Sequence, residues 1–201
     1  MVGDSSLNDL LLVNLRFITF LVTSYASFGR YEEVSALKVE NVTRDGQGFV
    51  LTFEKGKTYR FGENHIGVVS NLPDLDFNPA EILSVYLDRI VFLHSNSDSP
   101  SDYLFPSFSV QGSVLSSLDK PVLYDTLLKN FKAAVKDANI DVGLFKVGLH
   151  SLRRGGVTHA VRAGAPHEVV QKCMRVRSQE MVVYYATLST KELSSAAKLA
   201  F

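Results

Sequence analysis

Residues 150–166, HSLRRGGVTHAVRAGAP, place a histidine, two adjacent arginines and a glycine pair just ahead of an apolar helical pattern. His150 and Arg153 are three residues apart, so a helix that begins here carries both side chains on one face. Taken alone, each residue is explained by ordinary helix capping or packing. Whether the pair has a chemical role depends on what the rest of the chain supplies.

Helical periodicity continues through most of the chain around this stretch. Downstream and just upstream, helices are predicted over 121–138, 151–163, 166–174, 178–187 and 189–200. Near the start, Ser5 or Ser6 caps a predicted first helix with an apolar stripe of Leu7, Leu11, Leu15, Ile18, Val22 and Tyr25. Gly29 separates it from a short helix over 31–39, and Asn78-Pro79 opens a helix that continues to about His94.

The β-rich part of the sequence is confined to residues 39–70. The runs VENVT, GFVLTFE, TYRFG and HIGVVS alternate with turn residues, which predicts a small antiparallel sheet of hairpins. Residues 95–102 are predicted to be a loop, and the serine-rich residues 107–120 a second exposed loop. The fold class is therefore α+β and mainly α, with one domain over residues 1–201.

Composition limits the kind of protein this is. With 46% hydrophobic and 21% charged residues, the chain has the balance of a globular domain. The single cysteine, Cys173, excludes an internal disulfide and favours a reducing, intracellular setting. The apolar run over 10–22 is too short to span a bilayer and contains Arg16, so no membrane association is expected.

The zero net charge conceals a strong asymmetry. Residues 1–119 hold 8 Lys and Arg against 15 Asp and Glu, whereas residues 120–201 hold 13 against 6. A basic half of this kind is typical of a protein that faces nucleic acid. Clustering of charges on solvated helix faces explains the same numbers, and charge alone does not decide between the two.

Several familiar chemistries find no support in the sequence. The GKT at 56–58 lacks the first glycine of a phosphate-binding loop, since position 51 is Leu, and a strand rather than a helix follows it. The five histidines form no metal-ligand pair at helical spacing, and a Gly-x-Ser-x-Gly elbow is missing. We therefore expect no metal, no cofactor and no small-molecule substrate.

Five segments together carry a family resemblance. They are GRYEEVSALKVENV (29–42), VLTFEKGKTYRF (50–61), YLFPS (103–107), LHSLRRGGVTHAVRAGAPHEVVQKCM (149–174) and MVVYYA (181–186). In this order they resemble the arginine box, lysine hairpin, Leu-Phe-Pro stretch, His-x-x-Arg box and nucleophilic tyrosine of the tyrosine recombinase catalytic domain, of the phage-integrase type. The resemblance covers essentially the whole chain. It implies breakage and rejoining of DNA strands through a covalent 3′-phosphotyrosine link, without metal or ATP.

The resemblance assigns a role to four residues of the arginine and His-x-x-Arg boxes and the tyrosine segment. Arg30 and Arg153 would hold the non-bridging oxygens of the pentacoordinate phosphate with their fork-shaped guanidiniums. His150 would hydrogen-bond the phosphate and assist proton transfer from the nucleophile. Tyr185, 35 residues after His150, would be the nucleophile, with Tyr184 as the alternate.

The resemblance also assigns residues in the hairpin and the first box. Lys57 would donate the proton to the leaving 5′ oxygen as general acid, with Lys55 as the alternate. Glu33, three residues after Arg30, would orient an active-site arginine or the histidine.

One departure from the family pattern bears on activity. The position nine residues before Tyr185 usually holds His or Trp, often as part of a Gly-His pair, and here it is Val176, which cannot donate a hydrogen bond. Arg175 or Arg177 would have to substitute. The sequence therefore leaves open a second function, a recombinase-derived DNA-binding module with weak or no catalysis. A type IB topoisomerase, which shares the chemistry, is a weaker alternative.

The resemblance also implies partners. Double-stranded DNA is the expected substrate, and a homo-oligomer, a dimer or tetramer, is expected to assemble on it. The last segment, STKELSSAAKLAF (189–201), would pack on a neighbouring protomer or, alternatively, on its own chain. Family members usually carry an N-terminal DNA-binding domain that this chain lacks, so we expect a fragment of a longer recombinase, as in a mobile element. The expected location is intracellular and DNA-associated, in the cytoplasm or nucleoid of a prokaryote or the nucleus of a eukaryote.

Overall fold

The computed structural model describes residues 3–54, 65–74, 76–96, 101–111, 114–143 and 146–186. Lys55, Lys57 and the helix predicted over 189–200 lie outside these ranges. Helices α1 to α7 span Gly3–Ala26, Tyr31–Ser35, Pro79–Ser95, Tyr124–Asp137, His150–Arg162, His167–Met174 and Gln179–Tyr185. Strands β1 to β5 span Val42–Asp45, Gly48–Phe53, His65–Ser70, Pro106–Gln111 and Val114–Pro121. The domain is mainly helical with small antiparallel sheets, as predicted.

The long helix α1 contacts α3, α5 and strands of both sheets. Its predicted apolar stripe is partly wrong, since Leu11 and Ile18 are exposed. The buried positions toward its end include Arg16, Thr19, Phe20 and Thr23. Arg16 Nη1 donates to the Pro106 carbonyl at 2.7 Å, and its guanidinium lies 4.5 Å from the Phe108 ring centroid. Polar side chains, among them Arg16 and Thr19 with internal partners, thus take up part of the buried face, which a pattern of apolar residues alone does not reveal.

The predicted hairpin sheet is present and β2 is its central strand, with antiparallel neighbours β1 and β3. Side chains alternate across the pleat, so that Phe49, Leu51 and Phe53 enter the core. The preceding helix is shorter than expected: α2 ends at Ser35, and a 3-10 turn over Val39–Asn41 leads into β1.

The loop predicted over residues 107–120 is wrong, because β4 and β5 pair there as an antiparallel hairpin. Phe108 opposes Ser117 and Ser109 opposes Ser116 in the register. Backbone hydrogen bonds hold such a ladder whatever the side chains are, and the abundant serines hide its alternation of polar and apolar residues. Ser107 Oγ adds a hydrogen bond to the Pro121 carbonyl at 2.8 Å.

Two apolar clusters stabilise the fold. The larger lies among α1, α2, β2, α3 and the start of α4, and includes Phe20, Leu51 and Tyr86. The smaller joins α5, α6 and α7 and consists of Val157, Val170, Met174, Val182 and Tyr185. Each large side chain removed from water in this way contributes about 1.5–3 kcal/mol. Within the described residues, no helix is both long and apolar enough to cross a membrane.

A glycine sets the distance between α5 and α1. A Cβ at Gly156 would overlap the carbonyl oxygen of Tyr25, in the last turn of α1. Only a residue without a side chain therefore lets the two helices approach this closely. Arg153 lies one turn earlier on α5, so this contact brings its side chain to the junction of α1 and α2.

Candidate active site

Arg30 and Glu33 are joined at the start of α2. The backbone N–H of Arg30 donates to Glu33 Oε2 at 2.9 Å, and Arg30 Nη1 donates to Glu33 Oε1 at 2.6 Å. Glu33 thus caps the first turn of α2 and holds the arginine side chain with one carboxylate. The Arg30 side chain keeps 20% of its surface exposed, whereas that of Glu33 keeps 1%.

Arg153 reaches the same place from α5 and is completely buried. Its Nη1 donates to the Phe28 carbonyl and its Nη2 to the Met174 carbonyl, each at 2.6 Å. Burial, together with repulsion by Arg30, lowers the pKa of Arg153 to about 10, so the guanidinium remains charged at neutral pH. Its Nε meets no acceptor among the described residues.

Arg175 approaches from a third direction. It ends α6 in the left-handed conformation, with φ of 56°, where helices commonly place a glycine. Holding a residue with a side chain in this conformation costs about 1 kcal/mol. The side chain turns inward, and its Nη2 donates to Glu33 Oε2 at 2.9 Å. Of the two predicted substitutes for the missing donor, Arg175 is therefore buried behind the arginines, while Arg177 is exposed.

Arg30, Arg153, Arg175 and Glu33 form one group, which we call the Glu33 cluster. The nearest atoms of Arg153 and Glu33 are 3.6 Å apart, outside hydrogen-bond range, whereas Arg30 and Arg175 both bond the carboxylate. Burial raises the pKa of Glu33, but Arg175 and the N–H and guanidinium of Arg30 outweigh it, and the pKa lies below its ordinary 4.5. The carboxylate is ionised at neutral pH, so three cations surround one anion and the cluster attracts further negative charge.

His150 is the first residue of α5, beside this cluster. Partial burial lowers the pKa of its imidazole, and Arg153, Arg30 and Arg154 lower it further. The ring is therefore neutral at physiological pH and has a nitrogen able to accept a proton.

The two tyrosines at the end of α7 differ in surroundings. Tyr185 is 7% exposed; its ring centroid is 5.2 Å from that of His150 and 5.4 Å from the Arg153 guanidinium carbon. Tyr184 is 68% exposed and lies against Arg154, at 5.9 Å. Thr158 Oγ1 donates to the Tyr185 carbonyl at 3.1 Å and ties α7 to α5. The structure thus brings Tyr185, rather than Tyr184, to the His-x-x-Arg pair.

The position where the family carries His or Trp is Val176 in this chain, and its side chain cannot donate a hydrogen bond. Val176 packs against the smaller apolar cluster, and its carbonyl accepts from Gln171 Nε2 at 3.3 Å. The helix predicted over 166–174 is α6, which begins one residue later, at His167. Among the described residues, no group of three His, Cys, Asp or Glu side chains could hold a metal ion.

A basic surface extends from the site along α5, within the basic half of the sequence. Arg154, Thr158 and Arg162 line an open groove of about 470 Å³ between α5 and α1. His159 shares a hydrogen bond with the Tyr25 hydroxyl in its wall, at 2.9 Å. The spacing of four residues between 154, 158 and 162 was the available signal. On α4, the exposed Lys129, Lys132 and Lys136 follow one face.

The comparison with protein families gives one match. The model described as the phage integrase family matches residues 12–192. Among curated proteins, no sequence matches this chain.

Solved structures with the same fold include three recombinases. XerH site-specific recombinase, bound to palindromic difH substrate after cleavage, has a TM-score of 0.68 and 18% identity, over 96% of this chain and 49% of its own. XerA recombinase has a TM-score of 0.66 and 18% identity, over 98% and 63%. A lambda integrase dimer bound to a COC' core site has a TM-score of 0.62 and 14% identity, over 92% and 47%. This chain thus spans about half of the XerH and lambda integrase chains.

Proposed function

Because this chain belongs to the phage integrase family, we propose that residues 1–201 form the catalytic domain of a site-specific DNA recombinase. Its substrate is double-stranded DNA, and its reaction breaks and rejoins strands through a 3′-phosphotyrosine link without metal or ATP. The protein acts inside the cell, where the DNA of the host or of the mobile element lies.

One observation carries the proposal. Arg30, His150, Arg153 and Tyr185 come from three separate parts of the sequence and meet beside the buried carboxylate of Glu33. A metal-free phosphoryl transfer needs this combination: fixed cations for the developing charge, a neutral base and an adjacent hydroxyl nucleophile. The net positive charge of the Glu33 cluster favours a phosphodiester at this place.

In the proposed first step, Tyr185 Oη attacks the phosphorus of the scissile phosphodiester. The Tyr185 oxygen–phosphorus bond forms, the bond from phosphorus to the 5′ oxygen breaks, and the phenolic proton passes to His150. Arg30 and Arg153 stabilise the charge on the non-bridging oxygens. Lys57 gives a proton to the leaving 5′ oxygen, with Lys55 as the alternate. Attack by a 5′ hydroxyl of another strand reverses these steps and conserves the bond energy.

The burial of Arg153 adds a requirement to this scheme. Its side chain is 0% exposed, and the Tyr185 ring lies next to its guanidinium. A phosphate that reaches Arg153 must displace groups packed around it, and in this scheme the Tyr185 ring moves outward as DNA enters.

Two basic faces support DNA binding, one on α5 beside the site and one on α4. Lys129, Lys132 and Lys136 on α4 supply sequence-independent contacts to backbone phosphates, and the groove of Arg154 and Arg162 continues from the His-x-x-Arg pair. We further propose that protomers assemble as a dimer or tetramer on the duplex, as the lambda integrase dimer does on its core site. The segment 189–201 would make the contact between them.

A second function is favoured by two observations. Val176 supplies no donor side chain, and Arg153 is bonded to protein carbonyls. A domain with these features that binds DNA without cutting it would be a recombinase-derived binding module. Covalent trapping on DNA distinguishes the recombinase from the binding module.

The experiment is covalent trapping on DNA. Full-length protein is incubated with duplex pools that have a randomised core and a bridging 5′-phosphorothiolate at each core position in turn. The thiolate leaves without a proton donor, since thiols have a pKa of about 8.5, and the cleaved product accumulates as an adduct on a denaturing gel. We expect the wild type and Tyr184→Phe to form the adduct and Tyr185→Phe to form none.

Each alternative result has a meaning. An adduct that survives Tyr185→Phe and disappears with Tyr184→Phe would move the nucleophile to Tyr184. Duplex binding without any adduct would favour the binding module. Adducts at many unrelated sequences, together with relaxation of supercoiled plasmid, would favour a type IB topoisomerase.

A further inference from the structure

We infer that Arg175 is a positioning residue for the proposed reaction, holding Glu33 and the Phe28 carbonyl where Arg30 and Arg153 need them. The inference rests on the proposed function, because it assigns Arg175 a part in how the other two arginines stabilise the charge of the transition state. In this inference Arg175 acts through Glu33 and the Phe28 carbonyl, to which it donates, rather than by contact with the substrate.

The contacts of Arg175 reach α2, α6, the turn after α1 and the sheet. Its Nη1 donates to the carbonyls of Cys173 at 2.7 Å, Ser27 at 3.1 Å and Ile66 at 3.4 Å. The flat face of the guanidinium lies 4.2 Å from the Phe53 ring centroid. One side chain therefore connects the end of α6 to the end of α1 and to the sheet.

Arg175 and Arg153 both approach the same oxygen of Glu33. Glu33 Oε2 is 2.9 Å from Arg175 and 3.6 Å from Arg153, so Arg175 occupies the closer place. Without Arg175, Arg153 would move onto this oxygen and form a direct ion pair. Its charge would then be neutralised locally instead of acting on a phosphate. Arg175 thus keeps Arg153 near the carboxylate and available to an anion.

The Phe28 carbonyl is shared in the same way. Arg153 Nη1 donates to it at 2.6 Å and Arg175 Nη2 at 3.2 Å. Both Phe28 and Arg175 have positive φ, 52° and 56°, a conformation that favours glycine. Strained backbone at both ends of one contact indicates that the contact itself is maintained, and a glycine at 175 would relieve the backbone while removing the side chain.

The test uses that difference. Arg175→Gly keeps the left-handed turn without strain and leaves a guanidinium-sized space lined by carbonyls and Glu33. On a duplex sequence recovered from the trapping pools, we expect single-turnover cleavage to slow by about 100-fold, since a misplacement of about 1 Å has this effect. Duplex affinity should stay within about threefold of the wild type, because the arginine acts on the transition state.

Chemical rescue by added guanidinium distinguishes a positioning role of Arg175 from a general contribution to the stability of the fold. Millimolar guanidinium chloride should restore most of the cleavage rate of Arg175→Gly, while potassium chloride at equal ionic strength should not. Arg175→Lys, which keeps the charge and loses the planar fork, should cleave slowly without unfolding. Arg89→Lys is the matched control, because Arg89 is exposed on α3 and far from the cluster in sequence.

The contrary results are clear. Normal cleavage by both variants would overturn the inference. Parallel loss of melting temperature, affinity and rate, or failure of both variants to fold, would overturn it too, since Arg175 would then be a purely structural residue. A strong effect of Arg177→Lys alone would move the role to that residue. Absence of any adduct with the wild type would instead refute the proposed function and leave these comparisons without a reaction.

Discussion

The ring centroids of His150 and Tyr185 lie 5.2 Å apart, although 35 residues separate them in the sequence. The contact joins the first residue of α5 to the last residue of α7. The contact places the phenol of Tyr185 beside an imidazole that is neutral at physiological pH and therefore able to accept a proton.

This contact predicts the pH dependence of cleavage. Burial and three arginines lower the pKa of His150 below 6.5. A protonated imidazole cannot accept the phenolic proton, so the cleavage rate at subsaturating protein, which reports the free protein, should fall as pH decreases, with a midpoint below 6.5. His150→Gln should lose this acid limb and cleave about 100-fold more slowly. A midpoint above 6.5, or an unchanged limb in His150→Gln, would contradict the role of His150.

The lysine that acts as general acid can be identified by changing the leaving group of the DNA substrate. Lys57→Ala should strongly slow cleavage of an ordinary phosphodiester, because the 5′ oxygen then leaves without a proton. A bridging 5′-phosphorothiolate should restore the rate, since a thiolate is a stable leaving group. Lys55→Ala serves as the neighbouring comparison and should behave like the wild type on both substrates. If only Lys55→Ala is rescued by sulfur, Lys55 is the acid.

Glu33→Gln tests the electrostatics of the cluster. Removing the one carboxylate leaves buried arginines unpaired, which should lower the free energy of unfolding at neutral pH by about 3 kcal/mol. The pKa of Glu33 is depressed below 4.5, so its stabilisation is complete above 4.5 and is lost as pH falls below that value. Urea unfolding should therefore show a wild-type advantage that shrinks in acid. A difference independent of pH would exclude the ion pairs as its cause.

Two adjacent glycines provide a matched test of the α1–α5 contact. Gly156→Ala would drive a Cβ into the Tyr25 carbonyl oxygen and should cost about 1–3 kcal/mol. At Gly155 a Cβ would lie 3.2 Å from the partly exposed Tyr25 ring, which can yield. Gly155→Ala also gains about 1 kcal/mol of helix propensity and should be nearly neutral. Denaturant unfolding of both variants decides, and equal losses would show that the close approach is unimportant.

The lysines of α4 predict the salt dependence of DNA binding. Lys132→Gln should weaken duplex binding to a similar degree on all sequences, and reduce the slope of log affinity against log salt by about 1. Fluorescence anisotropy titrations at several salt concentrations measure this slope. Arg89→Gln, on the exposed face of α3, should leave it unchanged. An unchanged slope for Lys132→Gln would remove α4 from the DNA interface.

Much of the helical framework could be read from local chemistry. Asn78 caps α3 by accepting from the Ala80 N–H at 3.2 Å, and Pro79 is its first residue, as the Asn-Pro pair predicts. The helix predicted over 151–163 is α5, which begins one residue earlier, at His150. Such signals lie within a few residues of one another, and so the sequence contains them directly.

Other features depend on contacts that are remote in sequence. The inward course of Arg175 requires a left-handed residue at the end of α6 and carbonyl groups supplied by the turn after α1 and by β3, none of which a local pattern encodes. The β4–β5 hairpin was missed because serine contributes little apolar signal to either face. The meeting of Arg30 with Arg153 was expected only through family resemblance, since no spacing rule links positions so far apart.

Because Arg153 and Arg175 both donate to the Phe28 carbonyl, this shared acceptor affects how the site responds to mutation. Guanidiniums from α5 and α6 both end on it, yet it belongs to the main chain and is present whichever amino acid occupies position 28. Substitutions there alter the anchor only by altering the turn. In an alanine scan, substitution of Arg153 or Arg175 would remove a hydrogen bond to this carbonyl, whereas substitution of Phe28 would leave the carbonyl in place. The scan would therefore identify only the arginines as important.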